Sequence, residues 1–188
     1  MTQQVLYSTA TAQVLQWQDT GQFSYGAAPS GTATLPVTVA EWANQAGAWY
    51  VVGGALTQTD PNAPTVAQLV AQAQAAQIVT LTQAYKSAIQ QPVSYTSKGG
   101  ITKTYQADPP SGSNLQNAIL GMQAAGVAPS GFYWVSADNT QVPFTFADLQ
   151  GLAADLLAQG WAAFQHLQAL KADVLAATTV SAVQAIVW

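Results

Sequence analysis

The feature that most constrains this chain is the stretch from Thr145 to Ala176, TFADLQGLAADLLAQGWAAFQHLQALKADVLA. Thr145 followed three residues later by Asp148 is a capping-box variant. The hydroxyl serves the orphan amides of a first turn, and the acid meets the positive end of the helix. Apolar or small residues recur at Leu149, Leu152, Leu156, Gly160, Ala163, Leu167, Leu170 and Val174, in steps of three and four that predict a helix. Leu157, Trp161 and Phe164 make a second row, and the two rows together span roughly 180° of the helix surface. A helix this apolar is expected to bury itself against more than one neighbour. At 1.5 Å per residue it is about 45 Å long. Gly160 costs up to about 1 kcal/mol against Ala, and the expectation is that a partner element packs closely there.

On the opposite face Asp148, Asp155, His166 and Asp173 fall within about 20° of one another in projection. The pattern resembles an acid–histidine site until the rise is counted. His166 has only Ala162, Ala163, Ala169 and Leu170 at three and four residues' distance, so no carboxylate of its own helix reaches it. These residues are expected to form a solvated polar stripe.

Charged residues make up only 6% of the 188 residues, with no arginine and a single glutamate, Glu41; ordinary soluble proteins carry roughly 25%. Amides and hydroxyls replace the missing charges, which suits a protein that lives in an assembly. Four lysines cannot neutralise many phosphates, so nucleic acid is not an expected partner. No basic patch is available for a lipid surface, and no apolar run reaches the length of about 18 residues that predicts a membrane span. The N-terminus MTQQVLYSTATAQVL has neither the basic region nor the apolar core of a secretory signal. Without cysteine there are no disulfides and no thiolate metal sites.

Along the chain, residues 1–62 read as a small β-rich domain. Val5–Tyr7 and Val14–Trp17 are short strands, Thr20–Thr34 is a loop, and Thr38 caps a short helix through Glu41 and Trp42. Gly53-Gly54 between Trp49–Val52 and Ala55–Gln58 signals a tight hairpin. Trp17, Trp42 and Trp49 either make the core of this unit or form a sugar-stacking platform. Asp60 to Pro64 is a breaker. Residues 63–91 form a connecting helix with an apolar stripe from Val66 to Ala88, ended by Pro92.

Residues 92–188 are expected to form a C-terminal α+β domain that folds without the rest. Its hairpins are Val93–Thr96 with Ile101–Tyr105, and Phe132–Val135 with Val142–Phe144. Between them, Asp108-Pro109-Pro110-Ser111-Gly112 reads as a rigid linker, and a helix runs from Ser113 to a stop at Gly126. Thr178-Thr179 breaks the long helix and caps a last short one, whose Val183, Ile186 and Trp188 seal the end. The fold class is therefore α+β: a small β-rich domain, a long connecting helix, and two hairpins packed on long helices.

Nothing in this pattern assembles chemistry. The one histidine has no local partner, the acids lie at caps and turns where a structural role is the default, and no metal-ligand spacing is visible. The chain is expected to have no catalytic residues, no metal and no cofactor. The candidate partner-binding residues are Trp49, Tyr50 and Trp42. Adjacent strand positions face opposite sides, so Trp49 and Tyr50 cannot both enter one core, and one is expected to be exposed or covered by a partner.

Two segments, PVSYTSKGGITKTYQADPPSGSNLQNAI and the run from GFYWVSADNT through the long helix to AIVW, resemble a domain of unknown function from bacteriophage tail-fibre and tail-fibre-assembly proteins. The shared order is an aromatic strand ending in Ala-Asp, a capped helix, a Trp strand followed by Ala-Asp-Asn, and Thr-Phe-Ala-Asp-Leu opening the long helix. LYSTATAQVL, LPVTVAEW and WYVVGGALTQTDP are similar, more loosely, to the N-terminal module of tail-fibre assembly proteins. The resemblance implies a phage tail accessory protein that helps fibres fold and trimerise or stays at the fibre tip. Its expected partners are the tail-fibre protein or other tail subunits in an oligomeric assembly, and its expected place is the virion tail or the host cytoplasm during assembly. It transfers no catalytic residue. Two other functions remain open: an integral structural subunit of a tail, fibre or baseplate, and a receptor- or glycan-binding module.

Overall fold

The computed structural model describes residues 2–188. The architecture is mixed α+β, and the chain divides into two units, one ending at Thr65 and the other beginning at Val66.

The first unit is built on a three-stranded antiparallel sheet of β1 (Gln3–Ser8), β2 (Val14–Asp19) and β3 (Thr32–Pro36), with β1 in the middle. The part of the expected loop from Thr32 on is therefore a strand, paired with β1 from Gln4↔Pro36 to Ser8↔Thr32. Its sequence TATLP carries little apolar signal, and its proline is tolerated because it lies at the end of an edge strand. A short helix α1 (Val39–Trp42) follows, and its capping box joins Thr38 and Glu41 as the sequence predicts. Hydrogen bonds from Thr38 hold the Glu41 carboxyl below the usual carboxylate range. Next come β4 (Tyr50–Val52) and β5 (Ala55–Thr57). Gly53 and Gly54 both take positive φ, 59° and 80°, the conformation a two-residue hairpin turn of this hand requires. The hairpin is tied to the first sheet where Val14 N donates to Trp49 O and Val51 N to Ala12 O, each at 2.8 Å.

The second unit opens with α2 (Val66–Ala88). The hairpin β6 (Val93–Thr96) with β7 (Thr102–Tyr105) leads to α3 (Pro109–Ala125), and the hairpin β8 (Tyr133–Val135) with β9 (Gln141–Pro143) leads to α4 (Phe146–Ala176) and the short α5 (Val180–Gln184). The segment expected as a linker, Asp108 to Gly112, is in fact the cap and first turn of α3. Asp108 accepts from Ser111 N at 3.0 Å and Ser111 Oγ at 2.9 Å, which holds its carboxyl below the usual range. The two prolines that suggest a break stand where a missing N–H costs nothing. Gly126 ends α3 at φ 73°, as expected.

Two apolar clusters hold this unit together. In one, Tyr105, Val142, Leu149 and Leu152 are essentially buried and Tyr95, Phe132 and Trp134 pack around them. In the other, Val70 and Leu81 of α2 cluster with Leu167 and Val174 of α4 and Val183 of α5. The helix over 66–88 thus shares a core with α4 and α5. Glutamines cap the two long helices reciprocally. Gln74 Nε2 of α2 donates to Val174 O and Ala177 O at the end of α4, at 3.2 and 3.1 Å, and Gln159 Nε2 of α4 donates to Ala88 O and Gln91 O after α2, at 3.2 and 2.9 Å. Neutral amides here do what lysine or arginine often does at a helix C-terminus.

Two expectations about α4 need correcting. Asp148 is not part of a solvated stripe. It is buried beneath the β6–β7 hairpin, where Oδ2 accepts from Thr145 N and Oγ1 at 2.7 and 2.6 Å, and Oδ1 from Lys98 N at 2.6 Å and Tyr95 Oη at 3.3 Å. Burial opposes its charge, but these donors together prevail and its carboxyl lies below the usual range. Gly160 is likewise not the point of close packing, because no atom lies within 4 Å of where a Cβ would stand. The close approach is at Gly151, where a Cβ would fall 2.8 Å from Cε2 and 2.9 Å from Cζ of Tyr95.

Candidate partner-docking groove

The second row of α4 is where structure and sequence pattern part most usefully. Leu157, Trp161 and Phe164 are 74%, 58% and 40% exposed. The spacing that makes them a continuous face is present, but within this unit the neighbour expected to cover it is not. The Trp161 and Phe164 rings, three residues apart and so on one side of the helix, stack at 5.8 Å between centroids with 22° between planes.

These residues form one wall of a groove of about 630 Å³. Tyr85 at the end of α2 and Ile89 just past it contribute, and α3 contributes Gly112 and Leu115. Gly160 lies in the same wall as an open notch between Leu157 and Trp161. No charged residue lines the groove. An occupant is held by displaced water and shape, and each large side chain fully buried on docking contributes about 1.5–3 kcal/mol before the cost of ordering. Exposed contiguous apolar surface rimmed by polar residues is the usual mark of an interaction site.

The residues singled out from sequence lie in the other unit. Trp17 of β2 meets Trp42 and Trp49 edge-on, at 6.0 and 6.2 Å. All three indoles are half-buried, so they form a surface cluster; among the described residues the buried apolar side chains of that unit are Val5 and Val51. Trp49 donates its indole N–H to Ala46 O at 3.1 Å. Tyr50 is half-buried too, and partial burial followed by the nearby Asp60 carboxylate raises its phenol above the ordinary range. The strand begins at Tyr50, so Trp49 is outside the alternation that would set the pair on opposite faces. The structure brings Trp42 and Trp49 together through Trp17 and leaves Tyr50 with Asp60. His166 is met edge-on by Trp188 at 4.8 Å. Among the described residues no three acids or histidines come close enough to share a metal ion, and no helix is long and apolar enough to cross a membrane.

Residues 57–187, well over half of the chain, match the family described as Domain of unknown function (DUF4376). The chain belongs to the DUF4376 family. The match spans α2 through α5 and therefore the whole of the groove. Comparison with curated proteins and with solved structures gives no match. The DUF4376 groove was present in the sequence as the second row of α4. What the sequence did not carry was the shortage of apolar surface opposite it. α3 offers the groove Leu115, a residue already buried in the core.

Proposed function

We propose that this DUF4376 protein is a non-enzymatic bacteriophage tail-fibre accessory protein, which binds the fibre through the groove between α2, α3 and α4 and assists its assembly. The observation that carries the reading is the exposed Leu157–Trp161–Phe164 face on a helix whose other apolar row buries Leu149, Leu152, Leu167 and Val174. The resemblance of residues 92–188 to phage tail-fibre proteins supplies the partner. A groove without charge and a chain with 6% charged residues give electrostatic steering little to act on. Binding is accordingly driven by apolar surface and depends weakly on salt. The protein acts in the host cytoplasm during assembly or in the virion tail, with other tail subunits as further partners, and uses no cofactor. The Trp42, Trp49 and Tyr50 surface of the first unit is a second contact in this scheme.

The same surface favours one other role, a permanent structural subunit, because an uncovered apolar face also suits fixed burial in a particle. Co-expression with a phage tail-fibre protein separates the two. Soluble trimeric fibre should increase with the wild-type chain. It should fall back with Trp161→Ala combined with Leu157→Ser, a pair whose exposed positions leave folding intact. Trp49→Ala in parallel reports on the second surface. Fibre that trimerises equally well without the protein would refute the assembly role, and stoichiometric protein in purified particles would then establish the structural one.

A further inference from the structure

The DUF4376 domain has a second cleft whose chemistry is the opposite of the groove's. It lies between the end of β7, the first turns of α3 and the β8–β9 hairpin, and encloses about 340 Å³. That is the lower end of the range for small-ligand sites, about 300–1,000 Å³. Its lining consists of three amides, two serine hydroxyls, the aromatic Tyr133 and Trp134 and the aliphatic Val135, without a charge. The serine hydroxyls are committed inside the protein, Ser111 to Asp108 and Ser136 to Asp138. The side-chain amides of Gln106, Asn114 and Asn139, and the indole N–H of Trp134, make no hydrogen bond to the described residues. Three exposed amide side chains and a half-buried indole therefore line one cleft without a partner among the described residues.

The wall that carries Asn139 is fixed in place. Lys103 Nζ stands 2.7 Å from Asp138 Oδ2 and 3.3 Å from Thr140 Oγ1. Asp138 Oδ1 accepts from Ser136 Oγ and Thr140 N, and Ala137 N donates to Thr104 O at 2.8 Å. Asn139 itself sits at φ 62°, a turn conformation asparagine tolerates better than most residues. Trp134 is half-buried and packed on Phe132, 6.3 Å between centroids. The turn and the Trp134 ring are thus held before a ligand arrives, while the exposed amides of Gln106 and Asn114 are ordered only on binding, at the usual cost in rotamer freedom.

The ligand's chemistry follows from what these groups can and cannot satisfy. A primary amide both donates and accepts, as does a hydroxyl, so amides pair with vicinal hydroxyls in either sense. An aromatic ring beside them accepts the apolar C–H face of a sugar. An anion would need a cation; no lysine lines the cleft, and Lys103 on β7 is paired with Asp138. A purely apolar ligand would strip water from three amides and return no hydrogen bond. We propose that this cleft binds a neutral saccharide. The inference is independent of the fibre-docking role, since it uses different residues on a different face of α3.

The test is a titration of the uniformly ¹⁵N-labelled full chain, following tryptophan indole and Asn/Gln side-chain amide signals by NMR. The probes are maltotriose, triacetylchitotriose and lactose, each to about 10 mM, above a dissociation constant on the order of 1 mM, with polysialic acid as the charged comparison. At least one neutral sugar should shift the Trp134 indole and Asn114 amide signals saturably and leave the Trp161 indole in place. Replacing Gln106 and Asn114 together by Ala should weaken that sugar about tenfold, with no change in thermal unfolding because both side chains are exposed and internally unbonded. The proposal is overturned if no neutral sugar shifts Trp134, if the double substitution leaves the affinity unchanged, or if polysialic acid alone binds.

Discussion

Replacing Asp148 by Ala should destabilise the second unit by about 3–4 kcal/mol, far more than loss of a helix cap. The cap alone, in which Asp148 receives Thr145 N, is worth about 1 kcal/mol. The buried carboxylate also accepts from Lys98 N and Tyr95 Oη of the β6–β7 hairpin, and hydrogen bonds to a charged acceptor contribute about 1.5–3 kcal/mol each when they do not share a cost. The four bonds converge on one group, so the loss is below their sum. Asp148→Asn keeps the volume but turns an N–H toward either Thr145 N or Lys98 N, both donors, and should cost about 2–3 kcal/mol. Asp155→Ala, on the same helical face but exposed, should stay within about 0.5 kcal/mol. Urea unfolding monitored by circular dichroism measures all three. The sign of the pH dependence is fixed by the lowered carboxyl of Asp148. Its contribution is fully present above the ordinary aspartate pKa of about 4 and is lost as pH falls through the lower folded value. Stability of the wild type should therefore decline below about pH 4, more steeply than that of Asp148→Asn. A loss of only about 1 kcal/mol in Asp148→Ala, or equal acid slopes in both proteins, would refute this account and leave Asp148 as an ordinary cap.

The two glycines of α4 should respond oppositely to Ala. Gly151→Ala drives a methyl into the Tyr95 ring and should cost about 1–3 kcal/mol, whereas Gly160→Ala meets open space and should stabilise by up to about 1 kcal/mol; thermal unfolding of the two variants decides it. A fragment from Val66 to Trp188 should unfold cooperatively, whereas a fragment starting at Pro92 leaves Leu167, Val174 and Val183 without Leu81 and should lose protection of α5 in hydrogen exchange; equal protection in both fragments would show that α2 is dispensable.

Legibility differed by kind of signal. Features carried by local chemistry were plain in the sequence: the Thr145–Asp148 box, the Gly53-Gly54 turn, the αL stop at Gly126. The first turn of α3 was not, because proline breaks a helix interior yet favours a helix start, and only the Asp108 cap distinguishes the two. The strand β3 was missed because its partner β1 defines it more than its own residues do. Periodicity along α4 identified apolar rows without naming what lies opposite them. It therefore promised burial to Leu157 and Trp161, which are exposed, and solvent to Asp148, which is covered by a hairpin 50 residues upstream. The amide-lined cleft was invisible for the same reason: its groups come from three elements, and no spacing connects Gln106, Asn114 and Asn139.

The pairing of α2 with the end of α4 also sets a timetable for a chain made from one end. Leu81 and Gln74 leave the ribosome long before Leu167, Val174 and Ala177, the residues that cover and cap with them, exist. At roughly 5–20 residues per second the interval is on the order of ten seconds. During it α2 presents an apolar stripe with nothing of its own to fold against. The sheet of the first unit, complete once Pro36 has emerged, has no such wait. A stalled or truncated translation product of this protein is thus a folded β-rich head trailing a sticky helix, and newly made chains are most open to capture by a chaperone, or by one another, in that window.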